Sequence, residues 1–294
     1  MNGGTRKRSV VLGLIGQDIQ RSRTPEMHMA EGEAQGLRLV YNILDLTALK
    51  LGPEALPDLL VAAERTGFAG LNITHPCKQR VIEHLDELSD DARALGAVNT
   101  VLLRNGRRIG HNTDWSGFAE PFRRGMAGAA LDRVVQLGAG GAGAAVAHAI
   151  LTLGARELTI FDVDAERAAS LARKLSDHFG AGRARPGEDR VAAVGAADGL
   201  INATPIGMDA HPGLPLDVAL LRPDLWVAEI IYFPLETELL RRARALGCRT
   251  LDGGGMAIHQ AAAAFGLFTG LEPDVARMSE SFRRAIGPAE AGPG

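Results

Sequence analysis

The apolar positions in the first part of the chain alternate between strand-like runs and helix-like patterns. The predicted strands are Val10–Ile15, Leu39–Leu46 and Gly70–Thr74, and the predicted helices are Thr24–Gln35, Pro53–Thr66 and the segment that follows Pro76. Thr24 and Pro25 are predicted to be the N-cap and the first residue of their helix. An alternating stretch then turns at Asn105-Gly106, a strong β-hairpin signal. Strands, helices and one hairpin together predict a mixed α/β sheet.

A more regular alternation begins after the small, flexible segment Gly125–Leu131. Strands are predicted at "VVQL", "ELTIF", "GLINA", "LWVAEII" and "CRTL", and helices at the Gly/Ala-rich stretch after "VVQL", at Ala165–Phe179 and at Glu236–Leu246. Alternation of this kind is typical of a parallel, doubly wound sheet. Two further helices, "MAIHQAAAAFGLFTG" and Pro273–Ala285, precede a tail, "GPAEAGPG", that is predicted to be disordered.

A glycine-rich motif lies between the first strand and the first helix of this second alternation. Gly138, Gly140 and Gly143 form a G-x-G-x-x-G pattern, whose glycines permit a tight turn and let backbone N–H groups approach a pyrophosphate. Asp162 ends the next strand, 24 residues after Gly138, near the spacing of an acid that binds a ribose. The glycine pattern alone also occurs in ordinary turns, but strand, helix and acid together predict a dinucleotide site.

The acid at the end of the second strand favours NAD over NADP. The carboxylate of Asp162 accepts hydrogen bonds from ribose hydroxyls and repels a 2′-phosphate, and the next residue, Val163, is not a cation. Asp164 is more typical of a helix start. Arg167 either contacts the adenine or a phosphate, or is a solvated helix cation. Further along, the turn "NATPIGM", with Thr204, can run beside the nicotinamide, although turn chemistry alone also explains it.

Lys78 occupies an unusual position, the first turn of the helix predicted after Pro76. The positive end of a helix dipole and partial burial both disfavour an ammonium group, so a lysine here is suited to exchange a proton with an alcohol. Asp114, just after the hairpin, is the carboxylate that would orient this lysine. The alternative interpretations are a solvated lysine and an aspartate that only forms a turn.

Two hydroxyl groups precede the first predicted helix. Ser22 and Thr24 would form a small anion site there, fit for a substrate carboxylate, because backbone donors and the helix dipole favour negative charge. Thr24 is equally explained as the helix cap alone. Cys77, at the start of a later helix, could be an activated thiol, but a buried thiol is the simpler interpretation.

Composition narrows the function classes. The chain has 294 residues, of which 46% are apolar, and a net charge of −3, which together predict about two domains and no nucleic-acid partner. Only two cysteines occur, without a CxxC pair, as in proteins of a reducing compartment. No long apolar span and no signal peptide are found, so we expect a cytoplasmic protein that does not bind a membrane. The histidines at 75, 111 and 259 are interpreted as structural or solvated, and no spacing predicts a metal site.

Eight ordered segments resemble those of the shikimate dehydrogenase family over nearly the whole chain. They are "IGQDIQRSRTPEMH", "GLNITHPCKQ", "GAVNTV", "GHNTDWSGF", "GAGGAG", "NATPIGM", "IIYFPLETELL" and "DGGGMAIHQAAAAF". The resemblance implies an α/β protein with two domains. One is an N-terminal mixed-sheet substrate-binding domain at residues 1–119, completed by helices at 257–288, and the other is a Rossmann-type doubly wound parallel-sheet NAD-binding domain at 120–256.

The resemblance also implies roles for individual residues. Lys78 matches the catalytic lysine of the family, and Asp114 matches its partner. The predicted substrate-binding residues are Ser22, Thr24, Thr74, Asn99, Tyr232 and Gln260. The predicted cofactor-binding residues, including those argued above, are Gly138, Ala139, Gly140, Gly141, Ala142, Gly143, Asp162, Arg167, Thr204, Ile230, Gly253 and Met256.

Two departures from the usual pattern of the family resemble its quinate/shikimate dehydrogenase branch, which uses NAD. Ser22-Arg23-Thr24 stands where biosynthetic members have Ser-x-Ser, and Asp162-Val163-Asp164 stands where they have a phosphate-reading Asn-Arg-Thr-like segment. The branch implies reversible, NAD-dependent oxidation of quinate and shikimate at the C3 hydroxyl, to 3-dehydroquinate and 3-dehydroshikimate.

Three alternatives stay open at this stage. One is an NADP-dependent biosynthetic shikimate dehydrogenase, and another is a paralogue that acts on an amino-substituted ring. The third, of another class, is a dinucleotide sensor without catalysis, against which the intact Lys78 and Asp114 speak. The sequence leaves the oligomeric state open, with a homodimer as the assembly considered.

Overall fold

The structure is a computed structural model that describes residues 7–287. It divides into two compact units: the first unit comprises the residues up to Thr113 together with Gln260–Gly287, and the second unit comprises Asp114–His259. These boundaries differ by a few residues from those drawn on the sequence, because a helix that begins at Asp114 packs its aromatic residues into the second unit. The predicted disordered tail lies, from Pro288 onwards, outside the described residues.

Strands and helices alternate along most of the described chain. The strands are β1 Ser9–Gly16, β2 Arg38–Asp45, β3 Gly70–Ile73, β4 Glu87–Leu88, β5 Thr100–Arg104, β6 Arg107–His111, β7 Arg133–Leu137, β8 Glu157–Phe161, β9 Ala184–Pro186, β10 Gly199–Asn202, β11 Trp226–Glu229 and β12 Thr250–Leu251. The α-helices are α1 Thr24–Ala34, α2 Leu46–Leu49, α3 Leu56–Arg65, α4 Cys77–Arg80, α5 Asp90–Leu95, α6 Asp114–Gly125, α7 Gly141–Thr152, α8 Ala165–Phe179, α9 Arg190–Gly195, α10 Glu238–Ala245, α11 Gly254–Thr269 and α12 Val275–Ile286. Short 3-10 turns lie at Pro53–Ala55, Val81–His84 and Val218–Leu220.

The predicted mixed sheet of the first unit is confirmed. Its six strands lie in the order β2-β1-β3-β5-β6-β4. β1 pairs in parallel with β2 and β3, whereas β5 pairs antiparallel with β3 and β6. The predicted hairpin is confirmed, since Arg104 pairs with Arg107 around a two-residue turn. Asn105 and Gly106 take φ values of 54° and 72°, the left-handed pair that such a turn requires.

The segment after Pro76 corrects the sequence prediction of a continuous helix. It forms a single α-helical turn, α4, followed by the 3-10 turn Val81–His84, which uses i→i+3 hydrogen bonds. The carbonyl of Lys78 also accepts a hydrogen bond of 2.8 Å from the backbone N–H of Val98. The helix dipole at Lys78 is therefore weaker than the sequence predicted, because a four-residue helix has a small dipole.

The second unit contains a parallel sheet in the order β12-β11-β10-β7-β8-β9, which confirms the predicted doubly wound arrangement. The winding reverses between β7 and β10, and ligands of such sheets bind at the carboxyl ends of the strands at this reversal. The sequence did not predict β9 or α9, because three and six residues carry too short an apolar pattern.

Each unit has its own apolar cores. In the first unit, Ile15 and Leu60 belong to one cluster, while Phe265 and Phe268 of α11 belong to another. In the second unit, Phe118 belongs to the larger of two clusters. Among the described residues, no helix combines the length and the apolar character needed to cross a membrane.

Candidate active site

The glycine-rich turn joins β7 to α7 at the carboxyl edge of the parallel sheet. Gly138 takes a φ of +98°, and a Cβ there would lie 2.5 Å from the carbonyl oxygen of Ala203. A Cβ on Gly143 would lie 2.5 Å from the carbonyl oxygen of Gly138, so both positions require glycine. Gly140 is the N-cap of α7 and makes no side-chain cap hydrogen bond. Backbone N–H groups at this exposed helix start therefore fit the phosphates of a dinucleotide.

A buried side-chain amide on β7 is hydrogen-bonded to the glycine-rich turn. Gln136 on β7 is fully buried, and its Nε2 donates to the carbonyl oxygens of Gly138 and Gly143, both at 2.8 Å. Its Oε1 has no hydrogen-bond partner among the described residues. The sequence analysis missed Gln136, although a glutamine inside the apolar strand "VVQL" was a usable signal, because a buried amide requires partners.

The structure brings Asp162 to the glycine-rich turn. Its Oδ2 accepts a hydrogen bond of 2.7 Å from the N–H of Ala139, and its Oδ1 accepts one of 2.9 Å from the N–H of Asp164. Asp164 is the N-cap of α8, as predicted. The guanidinium of Arg167 lies 3.6 Å from the carboxylates of both aspartates. Contact of Asp162 with a ribose stays a prediction.

Other predicted cofactor residues lie at the same edge of the parallel sheet. Thr204 follows β10, and both its N–H and its hydroxyl donate to the Oδ1 of Asn202, at 3.1 and 2.7 Å. Gly253 packs against the segment after β11, since a Cβ there would lie 2.3 Å from the carbonyl oxygen of Ile230. Met256, in the first turns of α11, is buried in the larger core of the second unit.

A buried acid lies where β10 and β11 end. Glu229 is 1% exposed, and it accepts hydrogen bonds from Asn202, from the N–H of Ile231 and from the hydroxyl of Thr237. Burial raises the pKa of Glu229 to about 7, and these hydrogen bonds oppose the rise. The sequence analysis did not single out Glu229, although an acid within the apolar stretch "LWVAEII" was a visible signal.

In the first unit, three predicted site residues lie at one edge of the mixed sheet. Thr74 and Lys78 follow β3, while Asn99 precedes the antiparallel β5. The N–H of Ile73 donates to the carbonyl of Asn99 at 2.8 Å, the same distance as the bond from Val98 to Lys78. The backbone thus fixes half-buried Lys78 beside the strand that carries Asn99.

Asn99 belongs to a buried polar network in the same unit. Its Oδ1 accepts from the N–H of Thr113 at 2.8 Å and from the hydroxyl of Thr100 at 3.0 Å, and its Nδ2 donates to the Oγ1 of Thr113 at 2.9 Å. The Nδ2 of Asn72 donates to the hydroxyl of Thr100, and the hydroxyl of Tyr41 donates to the Oδ1 of Asn72. The sequence predicted only Asn99 of this network.

Ser22 and Thr24 lie at the start of α1, with half-buried side chains. The prediction that Thr24 caps this helix is wrong. Arg23 is the N-cap residue and makes no side-chain cap bond, whereas the Oγ of Ser22 accepts from the N–H of Thr24 at 3.3 Å. Thr24 is already helical, so its hydroxyl is not held by the capping role.

Some predicted partners belong to different units. Lys78 and Gln260 lie in the first unit, whereas Asp114 and Tyr232 lie in the second, where Asp114 is the buried first residue of α6 and Tyr232 is 41% exposed. The pairing of Lys78 with Asp114 therefore stays a prediction.

The thiol of Cys77 and the rings of His111 and His259 agree with the simpler interpretations. Cys77 is a buried free thiol, and burial raises its pKa, which opposes activation as a nucleophile. Burial also lowers the pKa of His111 and of His259, both half-buried. Across residues 7–287, no cluster of three or more His, Cys, Asp or Glu side chains is arranged to hold a metal ion.

Family comparisons match both ends of the chain. Residues 14–101 match the family described as "Shikimate dehydrogenase substrate binding domain", and residues 253–281 match "Shikimate 5'-dehydrogenase C-terminal domain".

Relatives match nearly the whole chain, and their names divide between two cofactors. The chain is 58% identical over 283 residues to a "Shikimate dehydrogenase (NADP(+))" of Streptomyces avermitilis, covering 96% of this chain and 97% of the relative. It is 54% identical over 280 residues to a "Quinate/shikimate dehydrogenase (NAD(+))" of Corynebacterium glutamicum strain R, covering 93% and 98%. The solved structure of the quinate dehydrogenase from Corynebacterium glutamicum in complex with NAD superimposes with a TM-score of 0.90 at 52% identity, covering 94% and 99%.

Proposed function

Because the chain belongs to the shikimate dehydrogenase family, whose members are oxidoreductases, we propose that it is an NAD-dependent quinate/shikimate dehydrogenase. The relatives support dehydrogenase activity on shikimate or quinate with a pyridine nucleotide. We propose in addition that the cofactor is NAD and that quinate is oxidised as well as shikimate.

The observation that carries the choice of NAD is the position of Asp162. Its carboxylate is held at the glycine-rich turn by the N–H of Ala139, where it favours ribose hydroxyls and repels a 2′-phosphate. The next side chain, Val163, is fully exposed and has no charge for a phosphate. The relative with NAD in its solved structure supports the same choice.

One observation favours the alternative, an NADP-dependent shikimate dehydrogenase. Arg167 lies at the same turn, and a guanidinium can bind a 2′-phosphate. Its two ion pairs, with Asp162 and Asp164, oppose this role because the carboxylates already compensate its charge. A relative named for NADP is nevertheless 58% identical to the chain.

The substrate proposal rests on the hydroxyl groups of the first unit. Ser22 and Thr24, at the start of α1, are proposed to bind the substrate carboxylate, and the backbone N–H groups of the helix start favour such an anion. Thr74 and Asn99 are proposed to bind ring hydroxyls. Tyr232 and Gln260 are proposed to complete the substrate contacts.

The proposed proton chemistry belongs to two residues. Lys78 accepts the proton of the C3 hydroxyl through Nζ during oxidation and returns it to the 3-keto oxygen in reverse, and Asp114 orients the lysine. The nicotinamide supplies the hydride acceptor when it is bound. The protein contributes alignment, which makes the reaction effectively unimolecular.

The test is a steady-state assay of the purified protein with quinate, shikimate and an amino-substituted analogue, each with NAD and with NADP. We expect higher kcat/KM with NAD than with NADP, and turnover of both quinate and shikimate. A preference for NADP with shikimate alone supports the biosynthetic alternative. Preference for the amino analogue supports the paralogue, and dinucleotide binding without turnover supports a sensor.

A further inference from the structure

Glu229 is a buried acid whose hydrogen-bond donors are neutral. The Nδ2 of Asn202 donates to its two carboxylate oxygens at 3.0 and 2.9 Å, and the N–H of Ile231 and the hydroxyl of Thr237 donate at 3.2 Å each. Burying a carboxyl group without a cation is costly, so a residue in this setting needs a structural or functional reason. The reason follows from the segments that its partners belong to.

The first segment is the turn after β10. Asn202 and Glu229 are opposite each other, as the last paired residues of β10 and β11. The Nδ2 of Asn202 also donates to the carbonyl of Ile206 at 3.1 Å, and its Oδ1 accepts from the hydroxyl of Thr204 at 2.7 Å. Asn202 is therefore hydrogen-bonded to both Glu229 and Thr204, so the position of Thr204 depends on Glu229 through Asn202.

The second segment is the connection from β11 to α10. Glu229 accepts from the N–H of Ile231 at the start of this connection and from the hydroxyl of Thr237 at its end. Thr237 is also the N-cap of α10, and its Oγ1 accepts from the N–H of Leu240. Gly253 lies against this segment, since a Cβ there would lie 2.4 Å from the carbonyl oxygen of Ile231. One carboxyl group thus fixes both ends of the connection that carries Ile230.

We propose that Glu229 is a positioning residue, whose carboxyl group joins the turn after β10 to the connection after β11 and so holds the surface that the nicotinamide half of the dinucleotide contacts. This inference rests on the proposed function and on the cofactor contacts predicted from the sequence for Thr204, Ile230 and Gly253. The adenosine half has a separate support, because Gln136 and Asp162 hold the glycine-rich turn. Loss of Glu229 should therefore affect one half of the dinucleotide.

The experiment compares binding of a dinucleotide with binding of its fragment that lacks nicotinamide. Calorimetry measures the Kd of NAD and of ADP-ribose for the wild type and for Glu229→Gln. If the wild type prefers NADP, the ligands are NADP and 2′-phospho-ADP-ribose. In Glu229→Gln, an NH2 group replaces one of the two carboxylate oxygens that accept from the Nδ2 of Asn202, so one of these hydrogen bonds is lost. We expect the Kd of NAD to rise about tenfold, while the Kd of ADP-ribose changes by less than about twofold.

Kinetics and a matched variant sharpen this test. The KM for NAD should rise and kcat should fall in Glu229→Gln. Glu236→Gln is the control, because Glu236 lies in the same connection, is partly exposed and pairs with Arg244. It should leave both Kd values at the wild-type level.

A second pair of variants serves if Glu229→Gln does not fold. Thr237→Val removes the hydroxyl that donates to Glu229 and should weaken NAD binding selectively, whereas Thr237→Ser keeps the hydroxyl and should restore it. Equal losses for NAD and ADP-ribose, or no loss for either, would overturn the positioning role while leaving the proposed function intact. A wild-type protein that binds neither dinucleotide would overturn the proposed function and this inference with it.

Discussion

At the scale of single residues, Lys78 shows how a candidate catalytic group is held without a long helix. The turn α4 spans only Cys77–Arg80, so backbone bonds do the positioning: the N–H of Cys77 donates to Thr74 and the carbonyl of Lys78 accepts from Val98. These bonds place the lysine beside the strand that carries Asn99. The proposed role of Lys78 depends on its side chain, whereas its position depends on backbone bonds, so Lys78→Ala tests the role without removing those bonds.

Lys78→Ala should reduce kcat by orders of magnitude, because a positioned general acid–base group contributes typically about 10²–10⁴-fold. The Kd of NAD should stay nearly unchanged, since the predicted cofactor residues belong to the second unit. Arg80→Ala, an exposed cation in the same turn, is the control and should keep most of the activity. Near-normal turnover of Lys78→Ala would end the acid–base assignment.

Asp162→Ala should narrow the preference for NAD over NADP, because the carboxylate that repels a 2′-phosphate is removed. The affinities for NAD and for NADP should both fall, because Asp162 also accepts a hydrogen bond from the N–H of Ala139 and so supports the glycine-rich turn. The informative measurement is therefore the ratio of kcat/KM for the two cofactors. Asp274→Ala removes the N-cap of α12, in the first unit, and should preserve that ratio. An unchanged ratio in Asp162→Ala would remove this residue from cofactor choice.

At the scale of elements, helix α1 is joined to the C-terminal helices by both polar and aromatic contacts. Glu31 is fully buried and accepts from the Nε of Arg277 at 2.6 Å and from the N–H of Asp274 at 2.9 Å. Burial alone would raise the pKa of Glu31, but these hydrogen bonds lower it overall. On another side of α1, His28 packs against Phe265 and Phe268 of α11, with ring centroids 5.9 and 6.1 Å apart.

His28 should make the first unit sensitive to acid. Burial lowers its pKa from 6.5 to about 3, and neither ring nitrogen has a hydrogen-bond partner among the described residues. The folded state therefore favours the neutral ring, so stability is highest above pH 6.5 and falls as the pH drops toward 3. We expect a loss of about 2 kcal/mol between pH 6.5 and about pH 5 from this residue.

The variant His28→Phe should lack this acid-dependent loss. Urea unfolding followed by hydrogen exchange of the first unit, at the two pH values, measures the difference. His211→Phe, at an exposed loop position of the second unit, should keep the wild-type dependence. Identical pH dependence in His28→Phe and the wild type would show that His28 does not couple protonation to folding.

At the scale of the whole molecule, the two units have separate apolar clusters, and only the second unit contains tryptophan. Phe268 is buried in a cluster of the first unit and Phe118 in a cluster of the second. Both tryptophans of the chain, Trp115 and Trp226, belong to the second unit. Tryptophan fluorescence therefore follows the unfolding of one unit, while hydrogen exchange can follow each.

Phe268→Ala should destabilise the first unit by about 3–5 kcal/mol, the usual cost of truncating a buried phenylalanine. Amides of residues 7–113 should exchange faster, whereas the tryptophan unfolding transition should move little. Phe118→Ala is the matched variant and should produce the reverse pattern. Equal shifts of both units in both variants would contradict this separation.

Local patterns in the sequence were sufficient for the elements whose cause is local. Asn105-Gly106 specified its hairpin because two successive left-handed residues form a tight two-residue turn. Gly138 and Gly143 specified a turn that no Cβ would fit. The parallel pairing of the second sheet followed from its regular alternation, since strands joined by helices pair in parallel. Short elements such as β9 left too little pattern to be predicted.

The tertiary structure decided what depends on residues that are distant along the chain. Asn202 and Glu229 meet only because β10 and β11 pair in register, and Asn72 reaches Thr100 only because β3 pairs with β5. The carbonyl of Lys78 in α4 likewise accepts from the N–H of Val98, which is distant along the chain. The sequence by itself thus determined the longer elements, the glycine-rich turn and the resemblance to the family. The burial and the partners of polar groups required the fold, because hydrogen bonds between strands have no local signature.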